Sequence, residues 1–317
     1  MTIPAGLPRS VAIRDVGPRD GLQPEEPVPV AARVRLIEAL VAAGVHSIEL
    51  AAFVSPKAVP AMAGAAEVFA SVPARAGLVR AALVPNSKGA ELALEAGAEE
   101  LTVTISASET YNQRNVNMST AESEASIDTI ARLADAAVVP VDAVISCAFG
   151  SPYEGEIAPV EVSDLAGRLL DAGVTSITLA DTTGMATPRR IHEVLDAVTA
   201  LGLTGSSPSE NGGTIGLHLH DTRGTALVNA YAALQRGVHR FDTSVGGLGG
   251  SPFAHGAGGN LATEVLVAML DDLGIATGIQ IDPLVQAASI IEELVGRPVP
   301  SGVAHHGPRS RAHRAAG

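Results

Sequence analysis

The chain has 317 residues, 46% of them hydrophobic but only 3% aromatic and none Trp, so a substantial core must come from Ala, Val, Leu and Ile. A formal charge of −13, from 21 basic against 34 acidic side chains, argues against nucleic acid or an anionic membrane as partner. With one cysteine, Cys147, no long apolar leader and no uncharged run of about 18 residues, the expectation is a soluble, cytoplasmic protein.

Short apolar, β-branched runs alternate with helical patterns along the chain. The first runs are Val11–Val16, Ser47–Ala52, Arg80–Val84 and Glu100–Ile105. Val141–Ser146, Ser176–Ala180, Thr214–Leu219 and Arg240–Val245 complete the set. Each has the length and turn-residue boundaries of a buried parallel strand. Amphipathic helices are predicted between them, among them Val30–Ala43, Ser119–Ala137, Val160–Ala172 and Pro188–Leu201. Gly44, Gly97, Gly173, Gly202 and Gly237 follow helices where a left-handed residue is wanted. Eight strand–helix units in about 260 residues predict a (β/α)8 TIM barrel rather than an open doubly wound sheet. Leu261–Leu270 and Asp282–Val295 read as further helices, the second an extra C-terminal one. One domain is expected over residues 1–297, with a loose tail over 298–317.

Chemistry in such a barrel sits at the C-terminal ends of the strands. Those ends carry Arg19-Asp20, Glu49, Asn86, Ser106, Cys147, Asp181, His218 with His220, and a loop running to Asn260. Side chains alternate across a strand, so His218 and His220 point one way and Leu217 and Leu219 the other. Glu49 and the histidines stand inside apolar runs, where an ionisable group is costly unless paired or metal-bound. Barrel closure puts strand 8 between strands 7 and 1. Asp20, His218, His220 and Asn260 therefore face one sector of the mouth and could form an N2O2 divalent-metal site. Mg2+, Mn2+ and Zn2+ all suit such a mixed set. The loop Gly246–Asn260 is rich in glycine and reads as a flexible lid over that site.

These residues resemble the 3-hydroxy-3-methylglutaryl-CoA lyase family of metal-dependent barrel lyases over roughly residues 11 to 295. The resemblance rests first on Val16-Gly-Pro-Arg-Asp-Gly-Leu-Gln23, Phe53-Val-Ser-Pro-Lys57, Ser106-Ala-Ser-Glu109 and Ser151-Pro-Tyr-Glu-Gly155. It continues through Asp181-Thr-Thr-Gly184, His218-Leu-His-Asp-Thr222, Gly249-Gly-Ser-Pro-Phe253 and Gly259-Asn-Leu-Ala-Thr-Glu264. It implies Asp20, His218, His220 and Asn260 as metal ligands and Arg19 as the cation that stabilises the enolate. Glu49, Asp181, His218 and Ser251 take the other catalytic positions, and Gln23, Thr178 and Thr182 the substrate-binding ones. A carbon–carbon lyase of the oxo-acid-lyase type is implied, acting on an acyl-CoA thioester as a homodimer and releasing acetyl-CoA and a keto acid. The default substrate is hydroxymethylglutaryl-CoA, which yields acetoacetate as in leucine breakdown.

Three positions depart from the family pattern. Ser251 stands where the family carries a mobile-loop cysteine; a thiol titrates near pH 8.5, whereas a serine hydroxyl stays neutral unless activated. Ala52 replaces a common serine, and Pro24-Glu-Glu-Pro27 occupies a stretch where a lysine is usual. Cys147 belongs to strand 5 and does not replace the loop thiol. Two further readings follow: a lyase for a different branched 3-hydroxyacyl-CoA, such as a citramalyl-CoA-like thioester, and a catalytically silent metal- or CoA-binding relative. A related synthase fits less well, because such enzymes carry further domains.

Overall fold

The computed structural model describes residues 3–4, 6–203, 214–250 and 258–309. Eight parallel strands close into a barrel in the order β1 to β8. They are β1 (Ala12–Asp15), β2 (Ser47–Ala52), β3 (Val79–Leu83), β4 (Glu100–Ser106), β5 (Val141–Ser146), β6 (Ser176–Asp181), β7 (Thr214–Leu219) and β8 (Arg240–Thr243). The outer ring begins with α1 (Val30–Ala42), α2 (Ala65–Ser71), α3 (Ser87–Glu95), α4 (Glu109–Val116) and α5 (Thr120–Ala136). It continues with α6 (Pro159–Asp171), α7 (Pro188–Thr199), α8 (Ala226–Leu234) and α9 (Thr263–Asp272). The extra helix is α10 (Ile281–Val295), and a short α11 (Gly302–His306) follows it.

Local chemistry fixes the helix ends. Ser119 and Glu122 form a reciprocal capping box on α5, and the Thr187 side chain accepts from Arg190 N just before Pro188 opens α7. The five glycines expected after helices all have positive φ, between 80° and 94°. Leu36, Ile37 and Leu40 of α1 and Ile191, Val194 and Leu195 of α7 are buried in the hydrophobic core.

The stretch expected as a loose tail is docked as far as residue 309. Val299 and Ser301 are buried, Val299 N donates to Glu292 Oε1 at 2.9 Å, and Ser301 caps α11. Val299 fits because residue 246 is glycine: a Cβ there would lie 2.8 Å from Val299 Cγ1.

The barrel interior carries charge where most such barrels stack branched apolar side chains. Arg14 of β1 reaches across to Asp142 of β5 at 2.7 Å, to Glu100 of β4 at 2.7 Å and to Asp242 of β8 at 2.8 Å. Arg240 donates to Asp142 Oδ1 at 2.7 Å, and Ser176 and Thr178 donate to the same carboxylate at 2.8 Å. Gly216 provides the room, since a Cβ there would sit 2.7 Å from Arg240 Nε. This polar floor lies directly beneath the mouth.

Candidate active site

The mouth begins with the tight turn Gly17–Gly21 after β1, a single π-helical turn held by Asp20 N and Gly21 N donating to Val16 O. Gly21 is required by close approach, as a Cβ there would be 2.6 Å from Ser244 Oγ. Asp15 staples the turn to the far side. Its carboxylate accepts from Gly17 N at 2.8 Å, Val245 N at 3.1 Å and Thr263 Oγ1 at 2.6 Å. Arg19 is thereby turned inward and buried; its Nε donates to Glu49 Oε2 and its Nη1 to Asp20 Oδ1 at 2.7 Å. Glu49 of β2 is fully buried, and its Oε1 has no partner.

Asp20, His218 and His220 converge, with one ligand atom from each within 4.8 Å of the others. The two imidazole Nε2 atoms are 3.2 Å apart, and His218 Nε2 is 3.9 Å from Asp20 Oδ2. Asn260 closes the group. A backbone bridge pairs it with His220, and its Nδ2 donates to Asp20 Oδ2 at 2.7 Å and Leu248 O at 2.9 Å. Its Oδ1 is buried without a partner.

The outer nitrogens each face an acceptor. His220 Nδ1 faces the Gly258 carbonyl at 3.0 Å, and His218 Nδ1 faces the Asp242 carboxylate at 3.4 Å. Both partners can only accept, because Arg14 and His218 hold Asp242 well below the usual carboxylate range against its burial. A neutral ring with its proton on Nδ1 turns an Nε2 lone pair inward; Asp242 and Asp20 raise the His218 pKa against its burial, so that ring can also be protonated on both nitrogens and donate through Nε2 to His220. When both rings are neutral, two Nε2 lone pairs 3.2 Å apart face one point beside a carboxylate and a partnerless amide oxygen. This donor set fits a divalent ion.

Electrostatics at the mouth have nameable causes. Burial alone would raise the Asp20 pKa, but Arg19 and the two imidazoles outweigh it and hold the group below its ordinary value. Burial and the neighbouring His218 push His220 down to about 4. Burial pushes Asp181 up to about 6; its Oδ1 accepts from Ala186 N at 2.9 Å and its Oδ2 has no partner.

A cavity of about 610 Å³ opens above the floor. Arg19, Asp20, Gln23, Thr182, His218 and His220 line it, with an apolar wall that includes Leu83 and Val144. Thr178 is not brought there. It is fully buried in the floor, bonded to Asp142 and Arg240, because it lies two residues below Ala180 on the inward face of β6. Ser251 falls outside the described residues. Cys147 is no substitute, since burial pushes its thiol up to about 12.

The glycine-rich loop differs from its expectation where it is described. Gly246 and Gly247 are buried, and Gly246 N donates to the Glu264 carboxylate. A Cβ on Gly249 would lie 2.3 Å from Asn260 Nδ2, and one on Gly259 1.9 Å from Gly247 O. Here glycine serves close packing around Asn260; residues 251–257, the centre of the expected lid, lie outside the described residues. The sequence reading also missed Asp242, although a charge inside an apolar run is the signal that singled out Glu49.

Comparison with known proteins agrees with this geometry. Hydroxymethylglutaryl-CoA lyase YngG of Bacillus subtilis is 43% identical over 296 residues, 93% of this chain and 96% of that protein. A Pseudomonas aeruginosa 3-hydroxy-3-isohexenylglutaryl-CoA/hydroxy-methylglutaryl-CoA lyase is 43% identical over 292 residues, 92% and 95% of the two chains. The structure of an HMG-CoA lyase from Acenitobacter baumannii in complex with coenzyme A and 3-methylmalate superimposes with a TM-score of 0.89. The two are 39% identical, and 98% of each chain is covered. The HMGL-like family model matches residues 10–291, which span the whole barrel and every residue of the Asp20–His218–His220–Asn260 cluster, and the chain belongs to that family.

Proposed function

We propose that this protein is a divalent-metal-dependent carbon–carbon lyase that cleaves 3-hydroxy-3-methylglutaryl-CoA to acetyl-CoA and acetoacetate. The facing imidazole lone pairs, closed by Asp20 and the partnerless Asn260 Oδ1, carry this reading. Asp20, His218, His220 and Asn260 would hold the ion, Mg2+ or Mn2+ first and Zn2+ also compatible. When bound, such an ion supplies Lewis acidity that polarises the substrate's oxygens and eases loss of the hydroxyl proton.

The chain's own groups account for the rest. Cleavage breaks the bond between C2 and C3; C2 keeps the electron pair as a thioester enolate, and the 3-hydroxyl oxygen loses its proton and becomes a carbonyl. Arg19 is the fixed cation for the enolate oxygen, and it lines the cavity with its Nε anchored by Glu49. Asp181, raised to about 6, can hold a proton near neutral pH. Gln23 and Thr182 contact the substrate from the wall, and Ser251 takes the position of the family's proton-donating thiol. The same reading carries a homodimer, a cytoplasmic setting and a role in leucine breakdown.

A second reading keeps the chemistry and enlarges the substrate. The Pseudomonas relative is named for a longer 3-substituent as well, and here Ala52 replaces a polar side chain while Leu83 and Val144 line the cavity. Acetyl-CoA release from a panel of 3-hydroxyacyl-CoA thioesters, with Mg2+ or Mn2+ supplied, separates the readings. Fast release from hydroxymethylglutaryl-CoA supports the first, and release only from longer branched thioesters the second. No release from any member would leave a silent relative.

A further inference from the structure

The polar floor and the mouth meet at one residue. The barrel register sets Arg14 opposite Asp242 on one side and His218 opposite Asp242 on the other, so three inward side chains stand in a row across β1, β8 and β7. Arg14 grips the carboxylate with two donors, Nε to Oδ1 at 2.9 Å and Nη2 to Oδ2 at 2.8 Å. Such a fork fixes the carboxylate plane as well as its position. Arg14 cannot drift, because Glu100, Thr102 and Asp142 take its remaining donors. Oδ2 keeps acceptor capacity for one more donor, and it faces His218 Nδ1 at 3.4 Å.

We propose that Asp242 is a positioning residue for the candidate metal centre: it acts through His218, keeping the ring proton on Nδ1 so that the Nε2 lone pair faces Asp20 and His220. The inference rests on the reading that these residues and Asn260 hold a cation. The two imidazoles are oriented by different means. His220 is set by a backbone carbonyl, Gly258 O, which no substitution removes, whereas His218 is set by a side chain anchored in the floor. An outer carboxylate on a ligating histidine fixes the ring and its tautomer, and its loss weakens metal affinity by about 10–100-fold. The arrangement also gives the floor a task. Arg14, held from three sides, is the rigid base from which the His218 ring is aimed.

Asp242→Asn tests this with almost no change of shape. Arg14 donates to both carboxylate oxygens, so either orientation of the amide breaks one arm of its grip, and with the amide nitrogen at the Oδ2 place the N–H faces His218 Nδ1. That nitrogen then has to accept, and the ring proton moves to Nε2, the atom that should be free. In full-length Asp242→Asn we expect Mn2+ to bind about 10–100-fold more weakly than to wild type, by paramagnetic resonance of free Mn2+. We also expect the ring 15N shifts of His218, read in metal-free protein at alkaline pH, to change from the Nδ1–H to the Nε2–H form. A lower melting temperature with unchanged Mn2+ affinity and unchanged tautomer would mean that Asp242 only balances Arg14, and would overturn the proposal. Where the variant does not fold, wild type decides alone: an Nε2–H tautomer at His218 in the metal-free protein overturns it. Failure of wild type to bind Mn2+ would instead overturn the metal reading, and the proposal with it. Equal binding by wild type and Asp242→Asn overturns the positioning role only.

Discussion

The floor and the mouth of this barrel hold the same kinds of buried group, arginines and carboxylates, yet they are finished differently. In the floor, both oxygens of Asp142 and of Asp242 are bonded, and every nitrogen of Arg14 has a carboxylate partner. At the mouth, Glu49 Oε1, Asp181 Oδ2 and Asn260 Oδ1 are buried with no partner, and two imidazole lone pairs face each other. An unsatisfied buried acceptor costs about 1–3 kcal/mol. All three stand beside residues that line the cavity, next to Arg19, Thr182 and His220, where stability is given up for something that binds. Arg240 Nε is the exception in the floor, a buried donor without a partner for which the structure offers no function.

That contrast can be broken from either side. Asp142→Ala removes one of Arg14's three carboxylate partners and the carboxylate that pairs with Arg240, so a stability loss of about 3–5 kcal/mol is expected. Denaturant unfolding measures it. Asp142 is absent from the cavity wall and reaches the mouth only through Arg14, so acetyl-CoA release from the fraction that remains folded should fall less than in Arg19→Met. Arg19→Met should do the reverse. Removing a donor aimed at developing negative charge costs about 3 kcal/mol of barrier, a loss of 10²–10³-fold in turnover, with the fold retained. Turnover within threefold of wild type in that variant would reduce Arg19 to a counter-ion for Glu49 and Asp20.

Most of the mouth was legible in the sequence because its residues break a pattern. Glu49, His218 and His220 interrupt apolar strands, and closure of an eight-strand barrel puts strand 8 between strands 7 and 1 with no further information. The partners could not be read. Asp242 and Arg14 also interrupt apolar runs, but their meaning depends on which strands lie opposite each other and on how far a guanidinium reaches. Thr178 was misplaced for a related reason. The resemblance put it among the substrate-binding positions, but a two-residue difference along β6 separates floor from wall. The C-terminal stretch failed differently: Val299 docks by one side chain over Gly246 and one backbone bond, and Ser301 by a cap bond, none of which leaves a periodic trace.

Ser251 bears on the mouth's chemistry more narrowly. If the wild-type enzyme is a hydroxymethylglutaryl-CoA lyase slowed by the missing thiol, Ser251→Cys should raise turnover by about tenfold or more, since a well-placed acid–base group contributes about 10²–10⁴-fold. If the pocket instead suits another thioester, the cysteine should help little on hydroxymethylglutaryl-CoA, and wild type should already be fast on its own substrate. Steady-state acetyl-CoA release for both proteins across the panel distinguishes these outcomes.

The smallest expected effect concerns Asp15, which belongs to neither floor nor mouth but ties the β1 turn to the loop after β8. Burial raises its pKa from 3.8 to about 7, even though three donors converge on it. A carboxyl with a folded pKa above its unfolded one binds more protons when folded. Its contribution to stability is therefore complete below about pH 4 and declines as pH rises through about 7. Asp15→Asn removes the titration at the expense of one acceptor, so the variant should be less stable at pH 4, and the gap to wild type should narrow steadily towards pH 8. Melting temperatures of the two proteins across that range measure the gap. Parallel curves would show that Asp15 stays ionised throughout, which would make the staple an ordinary charged cap rather than a buried acid held neutral by its surroundings.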